Sequence, residues 1–249
     1  MKILVFQHIA SEHPGSFREI MAQRGCVMHQ VELDEGEAIP PLDDFDILLV
    51  MGGPMDVWEE DKFPWLAAEK AAIRDWVQAG RPYLGMCLGN QLLAEAMGGQ
   101  AQLMTAPPEV GMSKVRQLSP DPIFAGVNEL CTCFQWHGAE VTQLPEGARL
   151  LATSPGCAVQ GFAIGRHAYG LQFHMELTDT TAAEWGALPE YAAALERVKG
   201  PGALPLLQAE VAAEISELKS NAHRIFANFL DIAEDALAAN KTRQPLGSH

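Results

Sequence analysis

The sequence predicts an α/β fold: a doubly wound, mostly parallel sheet with added antiparallel strands and a C-terminal helical segment. Three observations carry that expectation. In the first hundred or so residues, short apolar runs alternate with stretches of helical apolar spacing, the order that builds a parallel sheet. The middle of the chain is a series of strand-like segments separated by Gly, Pro and Asp. The last part is Ala-rich, charged and helically periodic.

The elements follow in chain order. Lys2 to Phe6 is short and apolar, like a buried strand. Phe17 to Arg24 reads as a helix that stops at Gly25, and Cys26 to Leu33 as a second strand. Asp46 to Met51 is a third strand and runs directly into Gly52-Gly53-Pro54. Trp65 to Ala79 places Leu66, Ile73, Trp76 and Val77 at helical spacing and ends at Gly80. Pro82 to Met86 is another apolar run, followed at once by Cys87 and then by a compact helix, Leu88 to Met97, closed by Gly98-Gly99. Strand character recurs at Val110 to Leu118, Leu130 to Trp136, Ala139 to Leu144, Ala148 to Thr153, Ala158 to Ile164 and His167 to Phe173. Beyond Glu176 the chain reads as helical over about Thr180 to Val198 and Leu206 to Ala238, with Pro201-Gly202 and Pro205 between. Ile215, Leu218, His223, Ile225, Phe226, Phe229 and Leu230 form one stripe, read as packing against the domain rather than as an interface. The expected division is a catalytic-type domain over 1–200, a helical extension over 201–239 packed on it, and a frayed tail over 240–249.

Composition narrows the function. The chain has 249 residues, with 17 Lys and Arg against 32 Asp and Glu, a net charge of −15. Such a surface repels phosphate backbones and anionic lipid, so neither nucleic acid nor a membrane is an expected partner. The five cysteines, Cys26, Cys87, Cys131, Cys133 and Cys157, make no regular framework. No leader or spanning segment is visible, and the expectation is a reduced, cytoplasmic protein. Cys131 and Cys133 lack a second ligand pair at zinc-site spacing, so no metal is expected.

Four motifs carry chemistry. Gly85-Met86-Cys87-Leu88-Gly89-Asn90-Gln91 stands between a strand and a helix. A nucleophile on such a turn needs small flanks, because neighbouring side chains would clash. The turn also puts the sulfur at a helix N-terminus, where the dipole and unpaired N–H groups favour a thiolate. Gln172-Phe173-His174-Met175-Glu176 follows an apolar strand, and in extended chain His174 and Glu176 leave on the same face. That pair fits either an oriented base or a strand-end His beside a solvated Glu. Met51-Gly52-Gly53-Pro54 offers backbone N–H groups to an oxyanion, or is a plain turn. Trp136-His137-Gly138 alone is an ordinary strand connection.

Taken together, Gly-x-Cys-x-Gly-x-Gln, a distant Gln-Phe-His-x-Glu and an upstream Gly-Gly-Pro resemble the triad (class I) glutamine amidotransferases. Trp136 to Val141, continuing through Leu144 to Gly147, is similar to the glutaminase domain of GMP synthase and its stand-alone relatives. The resemblance covers about residues 2 to 176 and implies a flavodoxin-like sheet. It implies Cys87 as nucleophile, His174 as acid and base, and Glu176 as its orienter. Backbone N–H groups of Gly53 and Leu88 would form the oxyanion hole, with Gln91, His137 and Gly138 holding the amino-acid end of the substrate. Asn90 and Met175 depart from the family, where His and Pro are common. The implied reaction hydrolyses the γ-amide of glutamine through a γ-glutamyl thioester, without a cofactor.

The residues after Glu176 are too few for an ATP-dependent synthase domain, and no P-loop is present. Three readings stand. The chain is a glutaminase serving a separate synthase subunit. Alternatively it is a hydrolase of another γ-glutamyl compound, or a non-catalytic binding protein on the same fold. A homo-oligomer is compatible with each.

Overall fold

The structure, a computed structural model, describes residues 1–243. Its strands are β1 (Lys2–Gln7), β2 (Val27–Glu32), β3 (Ile47–Val50), β4 (Tyr83–Met86), β5 (Gln100–Leu103), β6 (Glu109–Gln117), β7 (Leu130–His137), β8 (Ala139–Gln143), β9 (Arg149–Thr153), β10 (Gly161–Ile164) and β11 (Ala168–Leu171). The helices are α1 (Phe17–Gln23), α2 (Trp65–Gln78), α3 (Leu88–Ala96), α4 (Thr181–Gly186), α5 (Pro189–Lys199) and α6 (Leu204–Arg243).

One nine-stranded sheet runs β2-β1-β3-β4-β11-β10-β9-β6-β7. Strands β2, β1, β3, β4 and β11 are mutually parallel, and the remaining four are joined antiparallel. This is the doubly wound sheet with antiparallel additions that the sequence predicts. Because β1 has β2 on one side and β3 on the other, the winding of the chain reverses there. Ligands of such sheets bind outside the carboxyl ends of the strands at that reversal. The segments leaving β1, β3, β4 and β11 lead to His8, Gly52, Cys87 and His174, which brings four distant parts of the sequence to one edge.

The central parallel strands are buried on both faces, and successive residues along each face opposite cores. Ile3, Val5, Ile47, Leu49, Leu84 and Met86 face one core, which Phe17 of α1 and Phe226, Phe229 and Leu230 of α6 cover. Leu4, Phe6, Leu48, Val50 and Tyr83 face the other, under α2 and α3. A third cluster joins Phe134 and Trp136 of β7 to Trp185, Tyr191, Leu207 and Leu218 of the C-terminal helices.

Four expectations need correcting. The predicted helical stretch Thr180 to Val198 is two helices, because Leu188 is extended and Pro189 starts α5 at its first position. His223 leaves the buried stripe of α6: its ring is part-exposed and 3.3 Å from Glu19, while Ala222 is fully buried beside it. The short polar strand β5 is an addition to the predicted elements, and it takes β8 into a separate two-stranded sheet. Helix α6 continues through Arg243, past the expected tail boundary at Asn240, and residues 244–249 of that tail lie outside the described residues.

Candidate active site

Cys87 sits between β4 and α3 with φ 49° and ψ −100°, the only non-glycine positive φ among the described residues. Strain of this kind persists only where the surroundings impose it. Here the Cys87 N–H donates to the Leu171 carbonyl at 2.8 Å, and the Cys87 carbonyl accepts from the Gln91 N–H at 3.2 Å. The small flanks are a packing requirement. A Cβ on Gly85 would overlap the carbonyl of Gly89, and one on Gly89 would overlap the carbonyl of Val50. The sequence signal for a tight strand-to-helix turn is thus accounted for atom by atom.

His174 is placed by a two-residue bridge to β7: its N–H donates to the Phe134 carbonyl at 2.8 Å, and the Phe134 N–H donates back at 2.9 Å. Nδ1 of the ring lies 2.7 Å from Oε1 of Glu176. Nε2 has no hydrogen-bond partner among the described residues. The Cys87 thiol makes no hydrogen bond to it yet acts on its ionisation. Burial alone would lower the pKa of His174, but Glu176 and Cys87 outweigh it and hold the ring well above the ordinary histidine value. Glu176 moves the other way: burial would raise it, and His174 with the Met175 N–H holds it below the usual carboxylate range. The two form a buried ion pair. Trp185 of α4 covers the ring edge-on, with centroids 4.6 Å apart.

Gly52 and Gly53 are wedged in a gap that admits no side chain. A Cβ on Gly52 would come 2.5 Å from Glu12 Oε2 and 3.0 Å from His174, and one on Gly53 would come 2.9 Å from His8 and 3.0 Å from Leu88. Leu88 is the first residue of α3, where a backbone N–H has no intrahelical acceptor. Gly53, Cys87, Leu88, Gln91, His137 and Gly138 all line one cavity of about 180 Å³. The structure therefore brings together on that wall every nominated residue except His174 and Glu176, and those two are buried beside it.

The positions of Gln91 and His137 are set by hydrogen bonds. Gln91 Nε2 donates to the Ala139 carbonyl and to Gln172 Oε1, at 3.2 and 3.1 Å. The ring of His137 is engaged at both nitrogens, with Nδ1 2.9 Å from the Ala139 carbonyl and Nε2 3.2 Å from Glu109. Asn90, one of the departures, donates to Gln172 Oε1 at 3.2 Å, and Gln172 Nε2 in turn lies 3.5 Å from the Cys87 sulfur.

Sequence reasoning missed the polar residues that surround this site. Glu12 is buried beside His174 and bonds to the Tyr191 hydroxyl, and Tyr191 lines the cavity. Burial pushes the Glu12 carboxyl up, with Glu176 adding to the rise and His174, Tyr191 and His8 opposing it. Helix α5 also brings Glu190 and Arg197 to the cavity wall. Nothing in the local pattern around Glu12 signals burial, because its partners are remote in sequence.

Two groups of ligand-type side chains come together. Glu109, His137 and Cys157 form one, and Glu12, His174 and Glu176 the other, with atoms within 4.8 Å in each. In the first, Glu109 accepts from Gln160 at 2.6 Å and from Ser154 at 3.0 Å, and burial pushes the Cys157 thiol up to about 12. A thiol so hard to ionise is a poor metal donor. This network instead fixes the turn from His137 to Ala139.

An α/β sheet with this cysteine elbow and this His–Glu pair defines a class. The chain belongs to the class-I glutamine amidotransferase family, whose family model matches residues 16–185, and it is a glutamine amidotransferase enzyme. It is 32% identical over 185 residues to the glutamine amidotransferase-like protein YfeJ of Salmonella typhimurium, covering 72% of this chain and 77% of that one. It is 41% identical over 104 residues to the GMP synthase of Vesicomyosocius okutanii, covering 40% of this chain but only 20% of that protein. Against a glutamine-hydrolyzing GMP synthase subunit from Sulfurisphaera tokodaii it is 34% identical over 140 residues, covering 56% and 71% respectively. A crystal structure of a glutamine amidotransferase from Thermotoga maritima superposes with TM-score 0.84 at 28% identity, covering 94% of this chain and 98% of that one.

Proposed function

We propose that the enzyme hydrolyses the γ-amide of glutamine through Cys87, His174 and Glu176. The observation that carries this reading is the strained Cys87 elbow set against the buried His174–Glu176 pair at the wall of a small cavity. The Cys87 sulfur attacks the amide carbon, and its proton passes to Nε2 of His174. The negative oxygen rests on the N–H groups of Gly53 and Leu88. His174 returns the proton to the departing nitrogen as the C–N bond breaks, releasing ammonia. A γ-glutamyl thioester remains on Cys87. His174 then takes a proton from water as the water oxygen attacks, the C–S bond breaks, and glutamate leaves. Glu176 keeps His174 in one orientation and stabilises its charged form. Gln91 and the backbone at His137 and Gly138 hold the amino-acid end.

The ammonia acceptor lies on another chain in this reading. Two observations support it. One relative is named as a separate glutamine-hydrolyzing subunit of GMP synthase. The described residues beyond Thr181 form only α4, α5, α6 and their connections, which supply no nucleotide-binding loop. Residues 1–200 then act as the amidotransferase unit, with the extension over 201–239 packed on it. A second reading, hydrolysis of a substituted γ-glutamyl amide, is favoured by one observation: α5 places Glu190, Tyr191 and Arg197 around the cavity, where they would meet a group attached to the amide nitrogen.

A coupled assay for glutamate and ammonia decides between them. The first reading predicts both products in equal amounts from glutamine, and none from Cys87→Ala. Cleavage of γ-glutamyl amines without cleavage of glutamine would favour the second.

A further inference from the structure

A second buried histidine–carboxylate pair stands behind the Gly52–Gly53 turn and has no part in the triad. His8 follows β1 and Glu69 lies on α2, 61 residues apart in sequence. Both side chains are fully buried. Nε2 of His8 is 2.9 Å from Oε1 of Glu69, and Nδ1 is 2.8 Å from the carbonyl oxygen of Gly52. Trp65 stacks on the imidazole, with centroids 5.4 Å apart and planes 19° from parallel. The ring is thus fixed on both edges and one face.

Both ring nitrogens face acceptors, so an imidazole that satisfies both must carry two protons. Burial would lower its pKa, but Glu69, the Gly52 carbonyl and Glu12 outweigh burial and raise it above the ordinary histidine value. The charged ring is the form the geometry calls for.

The consequence lies in the next peptide bond. A trans peptide is planar, and its C=O and N–H point to opposite sides. The carbonyl of Gly52 and the N–H of Gly53 belong to the same plane. Fixing the Gly52 oxygen on the His8 side directs the Gly53 N–H away from His8, and Gly53 borders the cavity beside Cys87 and Leu88. Hydrogen bonding at the carbonyl also polarises the peptide and strengthens the N–H as a donor. Resting on the oxyanion role given above to Gly53, we infer that His8 and Glu69 are positioning residues: together they hold the Gly52–Gly53 peptide so that its N–H serves the oxyanion formed during attack by Cys87. A plain turn would need no buried ion pair behind it, and burying one without a task is costly.

The test is a set of three variants, His8→Gln, His8→Asn and Glu69→Gln, read three ways. Steady-state kinetics should show kcat falling with KM within about threefold, since the oxyanion exists only in the transition state. The loss should be largest in His8→Gln and His8→Asn and smaller in Glu69→Gln. It should stay below the roughly 10²–10³-fold that loss of a whole oxyanion donor costs. Alkylation of Cys87 by iodoacetamide, mapped by mass spectrometry, needs no oxyanion site and should keep its wild-type rate. The Gly53 amide signal in ¹⁵N-resolved NMR reports the peptide without any substrate and should move in Glu69→Gln while that of Leu88 stays. An unmoved Gly53 amide, an unchanged kcat, or a fall in alkylation equal to the fall in kcat would each overturn the inference. Failure of the triad reading looks different: wild-type Cys87 would then show no turnover, with the Gly53 amide still responding to Glu69→Gln.

Discussion

Met175 donates its backbone N–H to Oε2 of Glu176 at 2.9 Å, while Oε1 of the same carboxylate holds His174. The family commonly has Pro at this position, and a proline has no N–H to give. The departure therefore supplies the Glu176 carboxylate with a backbone donor that a proline would remove. Met175 is also fully buried in the core that α1 and α6 cover. Met175→Pro should lower kcat and destabilise the fold. Met175→Ala, which keeps the N–H, should cost about 2–5 kcal/mol of stability through the cavity it leaves, with kcat near wild type. Urea denaturation beside steady-state kinetics separates the two. Equal kcat in both variants would show that the N–H has no bearing on the triad.

The elbow gives a stability prediction independent of activity. Cys87 occupies a backbone region that costs a non-glycine residue about 1–3 kcal/mol. Cys87→Gly should therefore be more stable than Cys87→Ala, although both lose turnover. Gly89→Ala should go the other way, since its Cβ would overlap the Val50 carbonyl and must displace α3 or β3. Thermal unfolding of the three variants checks this. A Gly89→Ala protein as stable as the parent would contradict the packing account.

The Tyr191 hydroxyl is the hydrogen-bond donor to Glu12, whose other oxygen is buried without a partner among the described residues. Tyr191→Phe removes that donor and strands the whole carboxyl group. The expected cost is about 1.5–3 kcal/mol, the range for a hydrogen bond to a charged group. Because Tyr191 also lines the cavity, KM for the substrate should rise. A neutral effect in denaturant melts would mean that Glu12 is held by the packing alone.

Much of this arrangement is legible in the sequence, and the omissions have a common cause. Cys87, Gly85 and Gly89 are neighbours in the chain, so local sterics expose the turn. His174 and Glu176 share a face through strand periodicity alone. The core strands are read from apolar runs that are buried on both faces. His8, Glu12 and Glu69, by contrast, become meaningful only when the sheet and α2 bring them together across tens of residues. The strand β5 is Gln-Ala-Gln-Leu, too short and polar to stand out, and it pairs only because β8 lies beside it. The break between α4 and α5 is readable: Leu188-Pro189 carries the extended-residue-then-proline signature of a new helix start.

Stability should fall at both ends of the pH range, from different groups. Burial pushes the Glu109 carboxyl up, but His137, Ser154 and Gln160 outweigh it and hold it below the ordinary carboxylate range. A group depressed on folding contributes stability above its unfolded value and loses it as pH falls through its folded one. His8 is raised on folding, so its contribution is full below about 6.5 and is lost as pH rises through the folded value. In melting temperature against pH, Glu109→Gln should flatten the acid limb and His8→Gln the alkaline limb. Parallel curves for parent and variants would refute both assignments.

The central claim is that Cys87 is a nucleophile in a formed glutamine site, and labelling with 6-diazo-5-oxo-L-norleucine, a reactive glutamine mimic, tests it most directly. The account predicts one adduct, mapped to Cys87 by mass spectrometry, slowed by added glutamine and absent from Cys87→Ala. A folded protein that takes no label at Cys87, or takes it at another cysteine with no protection by glutamine, would contradict it.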